Sequence, residues 1–326
     1  MAVTDSGREP GCQIDWRPGA RMSTLVARAR LLADIRAFMA RSAILEVDTG
    51  VIGRAPPAER GLEALIVQDA GYLVSSPEHA LKRLLAAGSG PIYQLGHVFR
   101  AGEIGRWHNP EFCMLEWYRP DCDMTDIVIE TQALIETLTG ERFSTTLCYR
   151  AVFQAQIGID PFMADTAALA AAAERLDVAP TGIGSSVGRA FWLDLLMSLV
   201  VQPTLGHAGP VCVTGFPADD AVLVELNPEL PGSARRFECF WRGVELANGA
   251  QELTDAETAR HRMALENEAR RAQGTLGAGL DERLVAALAA GLPRCAGVAL
   301  GVDRLLTLIG GHDSLSEVMP FDWSRR

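Results

Sequence analysis

The stretch PIYQLGHVFRAGEIGRWHNPEFCMLEWYR, residues 91–119, decides how the rest of the chain is read. Its first segment, Ile92–Phe99, is apolar, β-branched or aromatic at most positions. Its last, Phe112–Tyr118, alternates, with Phe112, Met114, Glu116 and Tyr118 on one face and Cys113, Leu115 and Trp117 on the other. A glycine-containing loop, Ala101–Pro110, separates them, so an antiparallel hairpin is expected. Phe112, Glu116 and Tyr118 make a poor core face, because a buried carboxylate needs a partner. They suit the wall of a pocket for a flat ring and a cation. Arg100, at the end of the first strand, adds a charge with the fork geometry that grips phosphate. The plainer alternative is a surface hairpin with an Arg–Glu pair, and spacing alone favours it, since strand carboxylates are usually solvated.

Composition narrows the class. With 326 residues, 48% hydrophobic and 22% charged, the chain can bury a large core. A net charge of −11 argues against non-specific binding to nucleic acid or to an anionic membrane. Seven cysteines occur without a C-x-x-C, so neither a disulfide framework nor a zinc site is expected, and a reducing cytoplasm is the default. No apolar run approaches the roughly 18 residues of a membrane span, and the N-terminus has no signal-peptide core.

Outward from the hairpin, residues 1–15 read as a flexible arm ahead of a single unit over 16–326. A helix is expected from Thr24, with Leu25, Ala29, Leu32, Ile35 and Met39 inside, then a short strand, Ile44–Val47. Residues 53–61 read as a mobile loop, and Ala64–Val67 with Tyr72–Ser75 as a hairpin around Asp69-Ala70-Gly71. Ser76-Pro77-Glu78 starts a helix: Ser76 as N-cap, Pro77 at N1, and Glu78 at the positive end. Leu81, Leu84 and Leu85 form its buried face and Gly88 ends it. Asp123 caps a helix to about Leu138. Residues 150–205 read as helical, with segments Ala151–Ile157, Thr166–Leu176 and Gly188–Val201, and carry no assigned chemistry; the glycines at 182, 184 and 188 lack dinucleotide spacing.

Further on, Val211–Phe216 and Ala221–Glu225 have strand character, and Phe237–Trp241 and Val244–Ala247 flank the turn Arg242-Gly243. Pairing there could bring Glu238 and Glu245 together, and two carboxylates beside a triphosphate suit Mg²⁺; two exposed strand carboxylates are the plainer alternative. Asp255–Ala272 is a charged, amphipathic helix with a solvated face. Val298–Val302 reads as a buried strand, and Asp303 opens a helix with Leu305, Leu306 and Ile309 inside. Arg304 in its first turn can reach a phosphate, or is simply a snorkelling charge on an apolar helix.

The string FR…HNPEF-x-MLEWY closely resembles motif 2 of class II aminoacyl-tRNA synthetases of the lysine, aspartate and asparagine subgroup. Helix followed by LEV-D-T is similar to motif 1, which builds the dimer interface, with Gly50 where the family has Pro. GVALGVDR, residues 297–304, is similar to motif 3, with Ala299 at a position that is usually Gly. SPE-x-x-x-KRLL and GVELANG-x-x-EL match the lysyl subgroup. The resemblance covers about Trp16 to Phe321. It implies an α+β fold: a class II catalytic core with a central antiparallel sheet flanked by helices and a helical insertion over about 150–205. Lysyl-tRNA synthetases carry an N-terminal anticodon-binding domain, whereas motif 1 begins here almost at once. The chain therefore looks like the lysyl-tRNA synthetase paralogues that modify elongation factor P, with no tRNA anticodon binding or membrane partner expected.

That resemblance implies an ATP site of Arg100, Glu103, His108, Asn109, Phe112, Glu245, Leu246, Gly301 and Arg304. Arg100 would hold the α-phosphate, Arg304 the γ-phosphate, and Phe112 would stack on adenine near Gly301; Arg100, Arg304 and Glu245 would be catalytic. It implies an amino-acid site of Ser76, Pro77, Glu78, Glu116, Tyr118, Asn248 and Glu252, and Mg²⁺ on Glu238 and Glu245. The implied reaction joins (R)-β-lysine or lysine, through an adenylate, to a lysine of elongation factor P, in a cytoplasmic homodimer. One departure weakens the ATP site: Gly102 replaces the carboxylate the family places two residues after the motif 2 arginine, and Glu103 is the candidate substitute. Two alternatives stand beside this reading: a ligase for another carrier or small molecule, and a non-catalytic amino-acid-binding regulator.

Overall fold

The computed structural model describes residues 16–55, 61–182, 187–272 and 280–326; the expected arm, the centre of the 53–61 loop and Gly184 lie outside them. The first helix, α1 (Met22–Arg41), turns Thr24, Leu31, Ile35 and Met39 inward. Its buried stripe is rotated one position from the expected Leu25–Ala29–Leu32 line. The cause is Arg28, which lies on the inward face and pairs with the buried carboxylate of Asp303. A turn with Ala43 at φ +55° leads into β1 (Leu45–Glu46). A small sheet follows: β2 (Ile52–Gly53), β3 (Ile66–Val67) and β4 (Gly71–Leu73), ordered β2-β4-β3.

After α2 (Glu78–Ala86) come β5 (Ile92–Phe99) and β6 (Glu111–Pro120), in register from Ile92↔Tyr118 to Phe99↔Glu111. The expected hairpin is therefore present. Asp123 caps α3 (Met124–Thr139) through a capping box with Asp126, and Gly140 ends it in the left-handed conformation. A strand not foreseen, β7 (Thr145–Cys148), precedes the helical block of α4 (Tyr149–Ile157), α5 (Thr166–Arg175) and α6 (Arg189–Leu196). A π-helical turn, Met197–Val201, continues α6.

Then β8 (Val211–Thr214), β9 (Arg236–Trp241) and β10 (Val244–Gln251) return to the sheet. Arg242 and Gly243 both have positive φ (+51° and +76°), which joins β9 to β10 by a turn matching the strands' twist. The expected strand over Ala221–Glu225 does not form. Val222 and Leu223 are buried, but the segment makes no ladder: only Val224 forms a single bridge, to Glu252. The last elements are α7 (Ala256–Ala272), α8 (Glu282–Gly291), β11 (Cys295–Gly301) and α9 (Val302–Ile309). One expectation fails here. Ile309 is 40% exposed while Leu308 is buried. The charged helix α7 is amphipathic, with Ala259, Met263, Glu266 and Arg270 buried on its inner side.

The main sheet runs β1-β5-β6-β11-β10-β9-β8-β7. The six strands from β5 to β8 are antiparallel, as expected for the centre, and β1 and β7 join the edges in parallel. One face packs on α1, α3 and α9 through Leu115, Trp117, Phe237, Cys239 and Leu300. On the other face α4–α6 cover one half through Tyr149, Phe153, Trp192 and Phe240. There α2 and α8 cover the other half through Leu81, Leu85 and Leu284. The gap between these two covers is a cleft on the sheet. No described helix is long and apolar enough to cross a membrane.

Candidate active site

The cleft, of about 830 Å³, is floored by the outward residues of β6, β10 and β11. Pleating supplies Phe112, Met114, Glu116 and Tyr118 from β6, while Cys113, Leu115 and Trp117 enter the opposite core. β11 lies beside them in the register Gly297↔Tyr118, Ala299↔Glu116 and Gly301↔Met114. A Cβ at Gly297 would come within 2.3 Å of the Tyr118 ring, so the missing side chain is what lets that ring lie across the strand. On β10 a register shift between Glu245 and Ala247 inserts one residue. Leu246 and Ala247 then both bury their side chains, and Glu245 and Asn248, three apart, both reach the cleft.

At the phosphate end, Arg304 is held by three neighbours. Its Nε donates to the Trp107 carbonyl at 3.2 Å, one Nη lies 3.3 Å from Glu245 Oε2, and the other lies 2.9 Å from His108 Nε2. Burial, and then the charge of Arg304, hold His108 below its usual range, so its imidazole is neutral and accepts. Arg100 lies over the Phe112 ring at 5.1 Å and 3.7 Å from Glu103. Its Nε is buried with no hydrogen-bond partner, the kind of donor a phosphate oxygen satisfies. Gly102 adopts φ +75°, which a glutamate would adopt only under strain, and Glu103 turns in toward Arg100. Asn109 lines the cleft, but both ends of its amide are engaged: it donates to the Glu111 carbonyl at 2.6 Å and accepts from the Trp323 N–H at 2.9 Å.

Glu238 and Glu245 do not pair across the β9–β10 ladder. Glu238 faces Asn248 and Glu245 faces Phe240. They share the cleft face instead. Glu238 pairs with Arg236 and accepts from Asn248 at 3.2 Å, while burial, and to a lesser degree the charge of Glu245, raise it to about 8. Among the described residues no three His, Cys, Asp or Glu gather as a metal site. The two carboxylates suit a cation only if phosphate oxygens complete its shell.

At the other end three carboxylates converge. Glu116, 3% exposed, accepts from the Ser76 hydroxyl at 2.7 Å and from the Tyr118 hydroxyl at 2.8 Å. Burial, then the charge of Glu78, push it up to about 8. Glu78 and Glu252 meet the ammonium of Lys82, which is 1% exposed and 2.5 Å from each. Ser76 still acts at the start of α2, accepting from the Glu78 N–H at 3.0 Å, although Pro77 occupies the cap position. Pro77 does not line the cleft; its carbonyl accepts from Ala80 and Leu81. All the other expected residues line it.

Sequence reasoning missed the buried Lys82 and the half-buried Arg236, two cations of the site. The signal for Lys82 was its position one helical turn after Glu78, and for Arg236 its position two before Glu238 on the same strand face. It also missed the wall formed by Tyr149, Leu193, Asp194 and Met197 from the helical block.

This geometry agrees with the comparisons with known proteins. The chain belongs to the tRNA synthetases class II (D, K and N), whose family pattern matches residues 12–324. Within that class its strong likenesses are to proteins named Elongation factor P--(R)-beta-lysine ligase. That of Pasteurella multocida is 41% identical over 325 residues, covering 95% of this chain and 98% of that protein. Those of Sodalis glossinidius (43% over 317 residues) and Proteus mirabilis (42% over 316) each cover 94% of this chain and 97% of theirs.

Proposed function

We propose that this protein is an ATP-dependent ligase that activates (R)-β-lysine, or lysine, and transfers it to the ε-amino group of a lysine on elongation factor P. The observation that carries this reading is the polarity of the cleft. Arg100 and Arg304 stand at one end and Glu78, Glu116 and Glu252 at the other, which suits a nucleotide triphosphate beside an amino acid with two ammonium groups. The names of the full-length relatives support the amino acid and the acceptor.

In the first step a carboxylate oxygen of the amino acid attacks the α-phosphorus of ATP, and pyrophosphate leaves. Arg100 receives the α-phosphate, and Arg304, oriented by Glu245, His108 and Trp107, receives the γ-phosphate; Phe112 offers the adenine a face near Gly301. Glu238 and Glu245 would hold Mg²⁺, which when bound would supply charge neutralisation on the phosphates. Asn248 orients the carboxylate, while Glu78, Glu116, Tyr118 and Glu252 hold the ammonium groups. In the second step the acceptor amine attacks the acyl carbon and AMP leaves, forming an amide. Catalysis is mainly positioning and electrostatic stabilisation. The acceptor is a translation factor, so the reaction is cytoplasmic, and α1 with the short edge strand β1, which leaves Leu45 exposed, forms the homodimer face.

Amino-acid-dependent ATP–pyrophosphate exchange with Mg²⁺ tests the reading. Exchange with (R)-β-lysine above other amino acids, followed by the mass of one β-lysyl group on elongation factor P, is expected. Exchange with β-lysine but no mass gain would move the acceptor to another carrier. No exchange with any amino acid from folded protein would favour a binding-only regulator.

A further inference from the structure

Arg236, Glu238 and Asn248 form a closed triangle of polar contacts on the cleft face of β9 and β10. Glu238 stands opposite Asn248 in the ladder, and Arg236 stands opposite Ala250, two residues along each strand, so pleating puts all three side chains on one face. Arg236 donates from Nε to Asn248 Oδ1 at 3.2 Å and pairs through an Nη with Glu238 Oε1. Asn248 Nδ2 donates to the same Glu238 oxygen at 3.2 Å. The guanidinium also lies over the Phe216 ring at 4.9 Å, and that ring packs on Tyr149 of α4 at 4.8 Å. Its plane is therefore held from outside the two strands.

An ion pair with Glu238 alone would need only a positive charge, which a lysine supplies. The arginine fork places two separate donors, and a guanidinium cannot accept. With Nε beside it, Asn248 must turn its oxygen toward Arg236, since the opposite flip would set donor against donor. This holds whether or not Glu238 carries a proton. Among the described residues Glu238 is the one partner of Asn248 Nδ2, and an amide nitrogen carries two hydrogens. From this geometry we infer that Arg236 is a positioning residue that locks the Asn248 amide with its second N–H available to the carboxylate of the bound amino acid. This role rests on the proposed amino-acid site, in which Asn248 meets that carboxylate. Arg236 thereby selects for a part of the ligand it does not touch, and favours an amino acid over a plain diamine.

Calorimetric binding of L-lysine and of cadaverine, which is lysine without its carboxylate, tests this in the absence of ATP and Mg²⁺. Omitting both separates amide orientation from any effect on a metal at Glu238. Arg236→Met is expected to weaken lysine binding about tenfold and to leave cadaverine binding unchanged. Asn248→Ala is expected to do the same, and adding Arg236→Met to it should weaken lysine no further. Arg236→Lys keeps a charge beside Glu238 but replaces two donor positions with one. It is expected to lose most of the preference for lysine, and it decides the matter if Arg236→Met does not fold. An equal loss for both ligands would overturn the inference, because packing alone would then explain it. So would the parental preference for lysine surviving in these Arg236 variants, or losses that add in the double variant. Parental protein that binds the two ligands equally would remove the carboxylate from Asn248, and the role of Arg236 with it. Parental protein that prefers lysine but supports no pyrophosphate exchange overturns the ligase reading alone, and the comparison with cadaverine still decides the role of Arg236.

Discussion

Asp303 Oδ2 accepts a hydrogen bond from the backbone N–H of Cys113 at 2.6 Å, across 190 residues of chain. β11 ends at Gly301, opposite Met114, so the next N–H of β6 has no strand partner and Asp303, in the first turn of α9, supplies one. The same carboxylate, 2% exposed, pairs with Arg28 of α1. Arg28→Ala would leave this charge buried against a single N–H. It is expected to lower stability by about 3 kcal/mol, read by urea denaturation. Loss of Arg304 alignment should accompany it as a raised ATP KM.

The pocket carboxylates make the stability of the ligand-free protein depend on pH. Glu116, ordinarily at 4.5, is pushed up to about 8 by burial and by Glu78. A carboxyl raised on folding contributes stability that is complete below its unfolded value and is lost as pH rises through its folded value. The free energy of unfolding should therefore fall between about pH 5 and pH 8, by a few kcal/mol at most, seen as a falling melting temperature. Glu116→Gln should flatten that slope. Saturating diamino acid should flatten it too, because its ammonium compensates the ionised carboxylate.

Gly297→Ala should injure the amino-acid site specifically. Its Cβ would fall 2.3 Å from the Tyr118 ring and 2.9 Å from Glu252 Oε1, so both must move. An amino-acid KM raised about tenfold or more, with little change for ATP, is expected from steady-state exchange. An unaltered KM would show that Tyr118 does not line the bound substrate.

Glu245→Gln should suppress adenylate formation about 100-fold or more while leaving the fold intact. Glu245 is partly exposed in the cleft and pairs with Arg304 at 3.3 Å, outside the packed core. Single-turnover formation of adenylate, with circular dichroism as the control, separates the two effects. A fully active variant would remove Glu245 from the metal and phosphate roles.

Much of the site could be read from the chain because strands announce themselves by alternation. Phe112, Glu116 and Tyr118 fall on one face wherever that strand goes, and Arg100 follows from its end. What stayed hidden depends on tertiary charge pairing. Lys82 and Arg28 look like solvent-facing helix residues until partners distant in sequence, Glu252 and Asp303, are in place. The strand expected over Ala221–Glu225 was misread because a short apolar run does not say whether its backbone finds a partner strand or is buried as a loop. The shared face of Glu245 and Asn248 was equally invisible, since regular alternation puts residues three apart on opposite faces and nothing in the sequence marks the bulge.

That extra residue has a consequence for how variation along β10 should be weighed. Most single replacements at Leu246 would change only volume in the core. Deleting it would remove the bulge and leave Glu245 and Asn248 two apart, still together on one face of a regular ladder. A ladder that kept Leu246 without the bulge would instead put them on opposite faces, with one of them in the hydrophobic layer. The bulge is thus what lets the strand carry a residue more without dividing the nucleotide end from the amine end.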